Sequence, residues 1–184
     1  MALTPSSMIN LGTNAPDFKL MDTVTGKSYG LKDIKDSKAT VIMFICNHCP
    51  YVKHVILELV KLARDYQSKG IAFIAINAND AIAYPDDAPK KMTQLAKQLE
   101  FSFPYLYDET QSIAKAYQAA CTPDFFIFNK DLVCVYRGQL DGSRPGNKIP
   151  VTGKDIRSAL DNILQGKPVS PQQQPSMGCN IKWK

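Results

Sequence analysis

The chain has 184 residues, 45% of them hydrophobic and 21% charged, so one core accounts for all of it and a single domain over residues 1–184 is expected. Its longest apolar runs are strand-sized, which excludes a transmembrane helix and gives no reason to expect a membrane partner. The 22 lysines and arginines exceed the 17 acidic residues for a net charge of +5, but they are scattered, so nucleic acid is not expected as a partner either.

Residues 1–11 read as an N-terminal arm that lacks the basic and apolar regions of a secretory signal, which makes the cytoplasm the expected compartment. Ala15-Pro16-Asp17-Phe18-Lys19-Leu20 and Thr25-Gly26-Lys27-Ser28-Tyr29 predict two short strands around a turn, a front hairpin. Residues 41–45 are continuously apolar, the pattern of a strand covered on both faces. From Pro50 the period changes: Val52, Val55, Ile56, Leu59, Val60 and Ala63 recur at helical spacing until Gly70. Residues 71–76 predict a second buried strand, Met92, Leu95, Ala96 and Leu99 a second helix, and Ile113, Tyr117 and Ala120 a shorter third.

Residues 125–128 and 132–136 predict antiparallel neighbours joined across Asn129-Lys130-Asp131. Ile156, Ala159, Leu160, Ile163 and Leu164 mark the closing helix. Residues 166–184 carry Pro168, Pro171, Pro175 and three glutamines, and read as an extended C-terminal tail without helix or strand. The tail nevertheless ends with Cys179 close to the chain's one tryptophan, Trp183, which predicts that it docks.

Five cysteines is an odd number, which argues against a closed disulfide framework and for reactive or buried thiols. Two of them stand in Cys46-Asn47-His48-Cys49-Pro50, where the buried strand gives way to the helix. A thiol there faces unpaired backbone N–H groups and the positive end of the helix dipole, so Cys46 is expected to ionise and act as nucleophile. The spacing places Cys49 one turn along, able to resolve a mixed disulfide formed on Cys46. His48, between the sulfurs, would favour the thiolate further; Lys53 and His54, one turn on, read as solvated. Pro50 fits the first turn of the helix, where its missing N–H is not needed.

With the dithiol so placed, the chain resembles the thioredoxin superfamily, and within it the peroxiredoxin-like proteins of the AhpC/TSA redoxin group. The resemblance rests on Gly12-Thr13-Asn14-Ala15-Pro16-Asp17-Phe18, the segment from Phe44 to His54 around the dithiol, and Ala120-Cys121-Thr122-Pro123-Asp124-Phe125-Phe126. It continues in Tyr136-Arg137-Gly138-Gln139-Leu140-Asp141 and the ending Gly178-Cys179-Asn180-Ile181-Lys182-Trp183-Lys184. It implies an α/β thioredoxin-like fold, a central mixed β-sheet flanked by helices, with the hairpin and tail as extensions. It also implies that Thr122-Pro123 is a cis-proline turn that faces the dithiol and binds substrate, with Cys121 beside it as an additional redox thiol. A tail folded back on the Cys121 loop would make Cys179 a further redox thiol that resolves or protects Cys121; a tail that does not fold back would leave Cys179 a surface cysteine open to intermolecular pairing. The implied activity is thiol-disulfide exchange with protein or small-molecule disulfides and a thioredoxin-type or glutathione-type redox partner. No metal or organic cofactor is called for, because the redox-active disulfide carries the electrons.

Two departures from the family pattern define the alternatives. Peroxiredoxins carry Pro-x-x-x-Thr-x-x-Cys with a partnering arginine; here Cys46 takes the Thr place, the proline is absent, and Cys49 takes the peroxidatic place. Ile45 replaces the tryptophan of ordinary thioredoxins, and Thr40 stands where a buried acid is expected on the strand, leaving His48 as a candidate for proton transfer. Peroxide reduction through Cys49 is therefore one alternative. Copper(I) or zinc binding by Cys46, Cys49 and one of His48, His54 or Cys121 is the other, because zinc sites also use this cysteine spacing. Cys134, in an apolar strand, reads as packing.

Overall fold

The computed structural model describes residues 3–34 and 36–184; Met1 and Ala2, at the start of the expected arm, and Lys35 lie outside the described residues. In chain order the strands and helices are β1 (Leu3–Pro5), β2 (Lys19–Asp22), β3 (Ser28–Gly30), β4 (Ala39–Phe44), α1 (Pro50–Gln67) and β5 (Ile71–Asn77). They continue with α2 (Pro89–Gln98), β6 (Tyr105–Tyr107), α3 (Ser112–Ala116), β7 (Cys121–Thr122), β8 (Asp124–Asn129), β9 (Cys134–Gly138), α4 (Lys154–Leu164) and β10 (Met177–Asn180). Short 3-10 turns occupy Leu31–Ile34 and Pro85–Asp87.

Among the described residues the main sheet runs β3-β2-β6-β5-β4-β8-β9. β4 pairs parallel with β5 and antiparallel with β8, so the sheet is mixed, as expected. Every residue of β4 is buried because both faces are covered. Val41 and Met43 pack with Leu59 and Leu62 of α1 and Ile156 and Leu160 of α4. Ile42 and Phe44 point to the other face, against Tyr117, Phe126 and Phe128. Each large side chain so buried contributes about 1.5–3 kcal/mol. The helix expected from Pro50 ends where Gly70 takes φ +91°, a left-handed conformation that glycine adopts without a Cβ clash.

Several elements differ from their sequence expectations: β1 lies within the expected arm, the first hairpin strand starts at Lys19, and α3 ends at Ala116, short of Tyr117 and Ala120. β6 has only three residues and no period to read, yet it joins the β2–β3 hairpin to the centre by pairing with both β2 and β5. The strand expected over residues 132–136 begins at Cys134 because Leu132 sits at φ +57°, while Val133 makes an isolated bridge to Asn14. Residues 166–184 are not wholly irregular: β10 lies between β1 and β7 in a second sheet, ordered β1-β10-β7. Its register pairs Cys179 with Thr122 and Asn180 with Cys121. The docked tail buries Cys179 and Ile181, and Lys115 places its ammonium over the Trp183 ring.

Candidate active site

β4 delivers the chain to the site. Ile45 still donates to the Ile76 carbonyl at the sheet's end, and Cys46-Asn47-His48-Cys49 then crosses to α1, with Cys49 as its N-cap residue and Pro50 in its first turn. From the opposite side comes the turn between β7 and β8, where the Thr122-Pro123 peptide is cis. Cys46 Sγ lies 3.2 Å from Thr122 Oγ1, and Cys49 Sγ lies 3.2 Å from the Thr122 carbonyl oxygen. Cys46, Cys49, Thr122 and Pro123 are thus brought together, with both cysteines almost wholly buried, at 1% and 0% exposure.

Helix position is not the only influence on the two sulfurs. Burial pushes the Cys46 thiol well above the ordinary range, and its hydrogen bond to Cys49 and the nearby Asp87 carboxylate push in the same direction. Cys49 is shifted well down, chiefly because the Cys46 thiol donates to it, helped by the Cys179 thiol and by the amides of Val52 and Cys179. Its sulfur makes no capping hydrogen bond within bonding geometry, and the Thr122 carbonyl works against ionisation by favouring the thiol form. Burial of the sulfur also opposes ionisation. The two sulfurs are coupled through a shared proton: burial acts against ionisation of Cys46 while the Thr122 hydroxyl favours it, and the Cys46 thiol favours ionisation of Cys49.

The site also contains an acid that sequence reasoning missed. Asp87, fully buried in the second 3-10 turn, accepts a 2.7 Å hydrogen bond from the Asn47 backbone and a 2.8 Å bond from Asn79 Nδ2. His48 Nδ1 lies 2.5 Å from its Oδ2. Against a carboxylate Nδ1 is the donor, which leaves Nε2 as the nitrogen able to exchange a proton, and that atom is buried without a hydrogen-bond partner. The His48 ring stacks on Tyr84 at a centroid distance of 5.0 Å. Tyr105 donates to Asn47 Oδ1 at 3.0 Å, fixing the loop from the other side. Asp87 thus supplies a buried acid that β4 lacks, since Thr40 stands in the strand. One ligand-type atom each of Cys46, His48 and Asp87 lies within 4.8 Å of the others, so these residues are the group among those described that comes nearest to a metal-ligand set.

The remaining candidates separate. Cys179 Sγ is 2.8 Å from Cys49 Sγ. Cys121 is buried, with its sulfur 3.6 Å from the Pro123 carbonyl, and desolvation and the neighbouring Asp124 push its thiol far up. Cys134 packs in the core beside Phe126 and Phe128, its thiol raised to about 11 by burial. His54 Nε2 is 2.7 Å from Ser143 Oγ, which ties it to the loop before α4, and Lys53 is exposed. Among the described residues no helix is long and apolar enough to cross a membrane.

Three comparisons bear on this arrangement. The crystal structure of an uncharacterized conserved protein from Geobacillus kaustophilus is 60% identical and superposes with a TM-score of 0.98, covering 100% of this chain and 97% of that one. The thioredoxin domain of a thiol-disulfide oxidoreductase from Bacteroides vulgatus shares 15% identity at a TM-score of 0.59, over 70% of this chain and 88% of that one, which shows the thioredoxin-like fold. The curated relative thiol-disulfide oxidoreductase ResA from Geobacillus thermodenitrificans is 24% identical over 161 residues, 87% of this chain and 82% of that protein. The family model described as AhpC/TSA matches residues 11–137, more than half the chain, and the protein therefore belongs to the AhpC/TSA family.

Proposed function

We propose that this protein is a thiol-disulfide oxidoreductase that exchanges electrons between its Cys46/Cys49 dithiol and protein or small-molecule disulfides. One observation carries the reading: two buried sulfurs at the head of α1, both against the Thr122-Pro123 turn, share a proton so that one is a thiolate. The ResA relative, named a thiol-disulfide oxidoreductase, points the same way. As the Cys46 sulfur attacks the substrate disulfide, its proton passes to Cys49, and one substrate sulfur leaves as a thiolate. His48, oriented by Asp87, takes that proton from the site. Cys49 then attacks Cys46, the second substrate sulfur leaves as a thiolate, and the dithiol has become a disulfide. Pro123 and Thr122 hold the substrate against the sulfurs, and a thioredoxin-type or glutathione-type partner returns the pair to its starting state. The Cys49→Ser variant, incubated with a cell lysate, is expected to retain mixed disulfides through Cys46; a folded variant that traps nothing would remove the reading.

The lowered pKa of the Cys49 thiol favours a second reading, peroxide reduction, in which that sulfur is oxidised to a sulfenic acid and another thiol captures it with loss of water. Stopped-flow mixing with hydrogen peroxide decides it. A rate at Cys49 well above that of a free thiol supports peroxidase activity, and a rate no faster excludes it.

A further inference from the structure

We propose that Cys179 is a third thiol of the exchange centre, taking over the disulfide from the Cys46/Cys49 pair by bonding to Cys49. The proposal rests on the dithiol reading above and extends it, because it gives the C-terminal strand a chemical part.

The seat of Cys179 is built, and several bonds hold it. β10 enters the space beside the Thr122-Pro123 turn and pairs with β7 so that Cys179 stands opposite Thr122, the residue that contacts both other sulfurs. The approach is so close that a Cβ on Gly178 would sit 2.1 Å from the Thr122 carbonyl oxygen, so only glycine fits before this cysteine. Ser176 Oγ donates to the Pro123 carbonyl at 2.6 Å on one side of Cys179. On the other side Ile181 N donates to the Ala120 carbonyl at 3.1 Å, and Lys182 N donates to Asn79 Oδ1 at 2.8 Å. β1 pairs with the outer edge of β10, Leu3 opposite Cys179. These contacts leave the Cys179 sulfur 2.8 Å from that of Cys49, and Cys49 stands between the sulfurs of Cys46 and Cys179.

Chemistry follows from that central position. Once Cys46 and Cys49 are joined, the Cys179 sulfur attacks the Cys49 sulfur. The Cys49–Cys179 bond forms, the Cys46–Cys49 bond breaks, and its electron pair leaves on Cys46, which takes the proton that Cys179 gives up. The number of disulfides is unchanged and no further oxidant enters, since the substrate disulfide has already supplied the oxidising equivalents. Cys46 is again a thiol while the oxidising equivalents are stored on the C-terminal strand.

Oxidised glutathione serves as the probe, with thiols blocked by iodoacetamide after acid quenching and the linked peptides identified by mass spectrometry. The wild-type chain is expected to yield both Cys46–Cys49 and Cys49–Cys179 peptides. The Cys46→Ser chain is expected to yield Cys49–Cys179 as its main disulfide within the monomer, with two fewer alkylated cysteines than before oxidation. The Cys179→Ala chain is expected to keep only Cys46–Cys49, with Cys46 no longer open to alkylation. A folded Cys46→Ser chain that holds glutathione on Cys49 while Cys179 stays alkylatable overturns the proposal, as does pairing of Cys179 with Cys121. Cys46→Ala, with folding checked by circular dichroism, repeats the test without a hydroxyl beside Cys49. If a folded Cys179→Ala chain yields no Cys46–Cys49 peptide, the dithiol reading and the transfer step fail together. If Cys46–Cys49 forms and Cys49–Cys179 does not, the dithiol reading stands and only the third thiol is lost.

Discussion

Replacing Cys46 with serine is expected to lower the turnover of a disulfide substrate by roughly 10³-fold or more, because the atom that bonds the substrate is gone. The loss should appear in the rate and not in the fold. Serine fits the space of a side chain that is 1% exposed, and its hydroxyl can keep the contact with Thr122 Oγ1 and the hydrogen bond to Cys49. Alanine at the same position removes that donor, so the Cys49 pKa should rise towards the ordinary thiol value. A depressed folded pKa contributes stability that is present above the unfolded thiol value and lost as pH falls through the folded one, which lies near 4. The serine and alanine variants should therefore differ most at alkaline pH and converge in acid, as urea unfolding at a series of pH values would read out. Equal stability of the two at every pH would mean that the Cys46 hydrogen bond does not set the charge on Cys49.

A comparable effect is expected at Asp87, although it contacts no sulfur directly. Its carboxylate holds the part-buried Asn47 amide and His48 ring and the buried Asn79 side chain. Asp87→Ala leaves these donors without a partner at about 1–3 kcal/mol each, so a total loss on the order of 3 kcal/mol or more is expected. In a chain of this size that corresponds to a fall in Tm of roughly 6–12 °C. Asp87→Asn keeps an acceptor oxygen and should fold more stably than the alanine variant, yet it removes the charge that orients His48. Its exchange rate is expected to drop by about 10²-fold, the range for loss of a positioned proton carrier. A purely structural role would leave the pH profile of exchange unchanged in Asp87→Asn, and that result would remove His48 and Asp87 from proton transfer.

The centre of the fold was legible because its signals are local. Continuous apolar residues in β4 followed by helical spacing in α1 give both elements and the junction between them, and the dithiol falls on that junction. The facing Thr122-Pro123 turn came from resemblance and not from periodicity. Asp87 left no trace in the sequence: it lies 39 residues from His48, in a Pro-Asp-Asp run whose composition reads as solvated loop. Its burial is decided by Asn47, Asn79 and His48, partners that meet only after folding. β7 and β10 escaped for a related reason. Two and four residues are too few to show alternation, and their pairing joins segments more than 50 residues apart. The thiols of Cys46 and Cys179, which act on Cys49, are likewise set around it only by the fold.

Asn79 joins two parts of the molecule through one side chain. Its Nδ2 donates to Asp87 while its Oδ1 accepts from the Lys182 amide, and the planar group cannot satisfy one without fixing the other. A polypeptide tag fused after residue 184, if it tugs the last residues from their seat, would let this amide rotate and loosen the grip on the imidazole ring. Assays of such a fusion would sample a different proton inventory from the untagged chain, so purification handles belong elsewhere on the molecule.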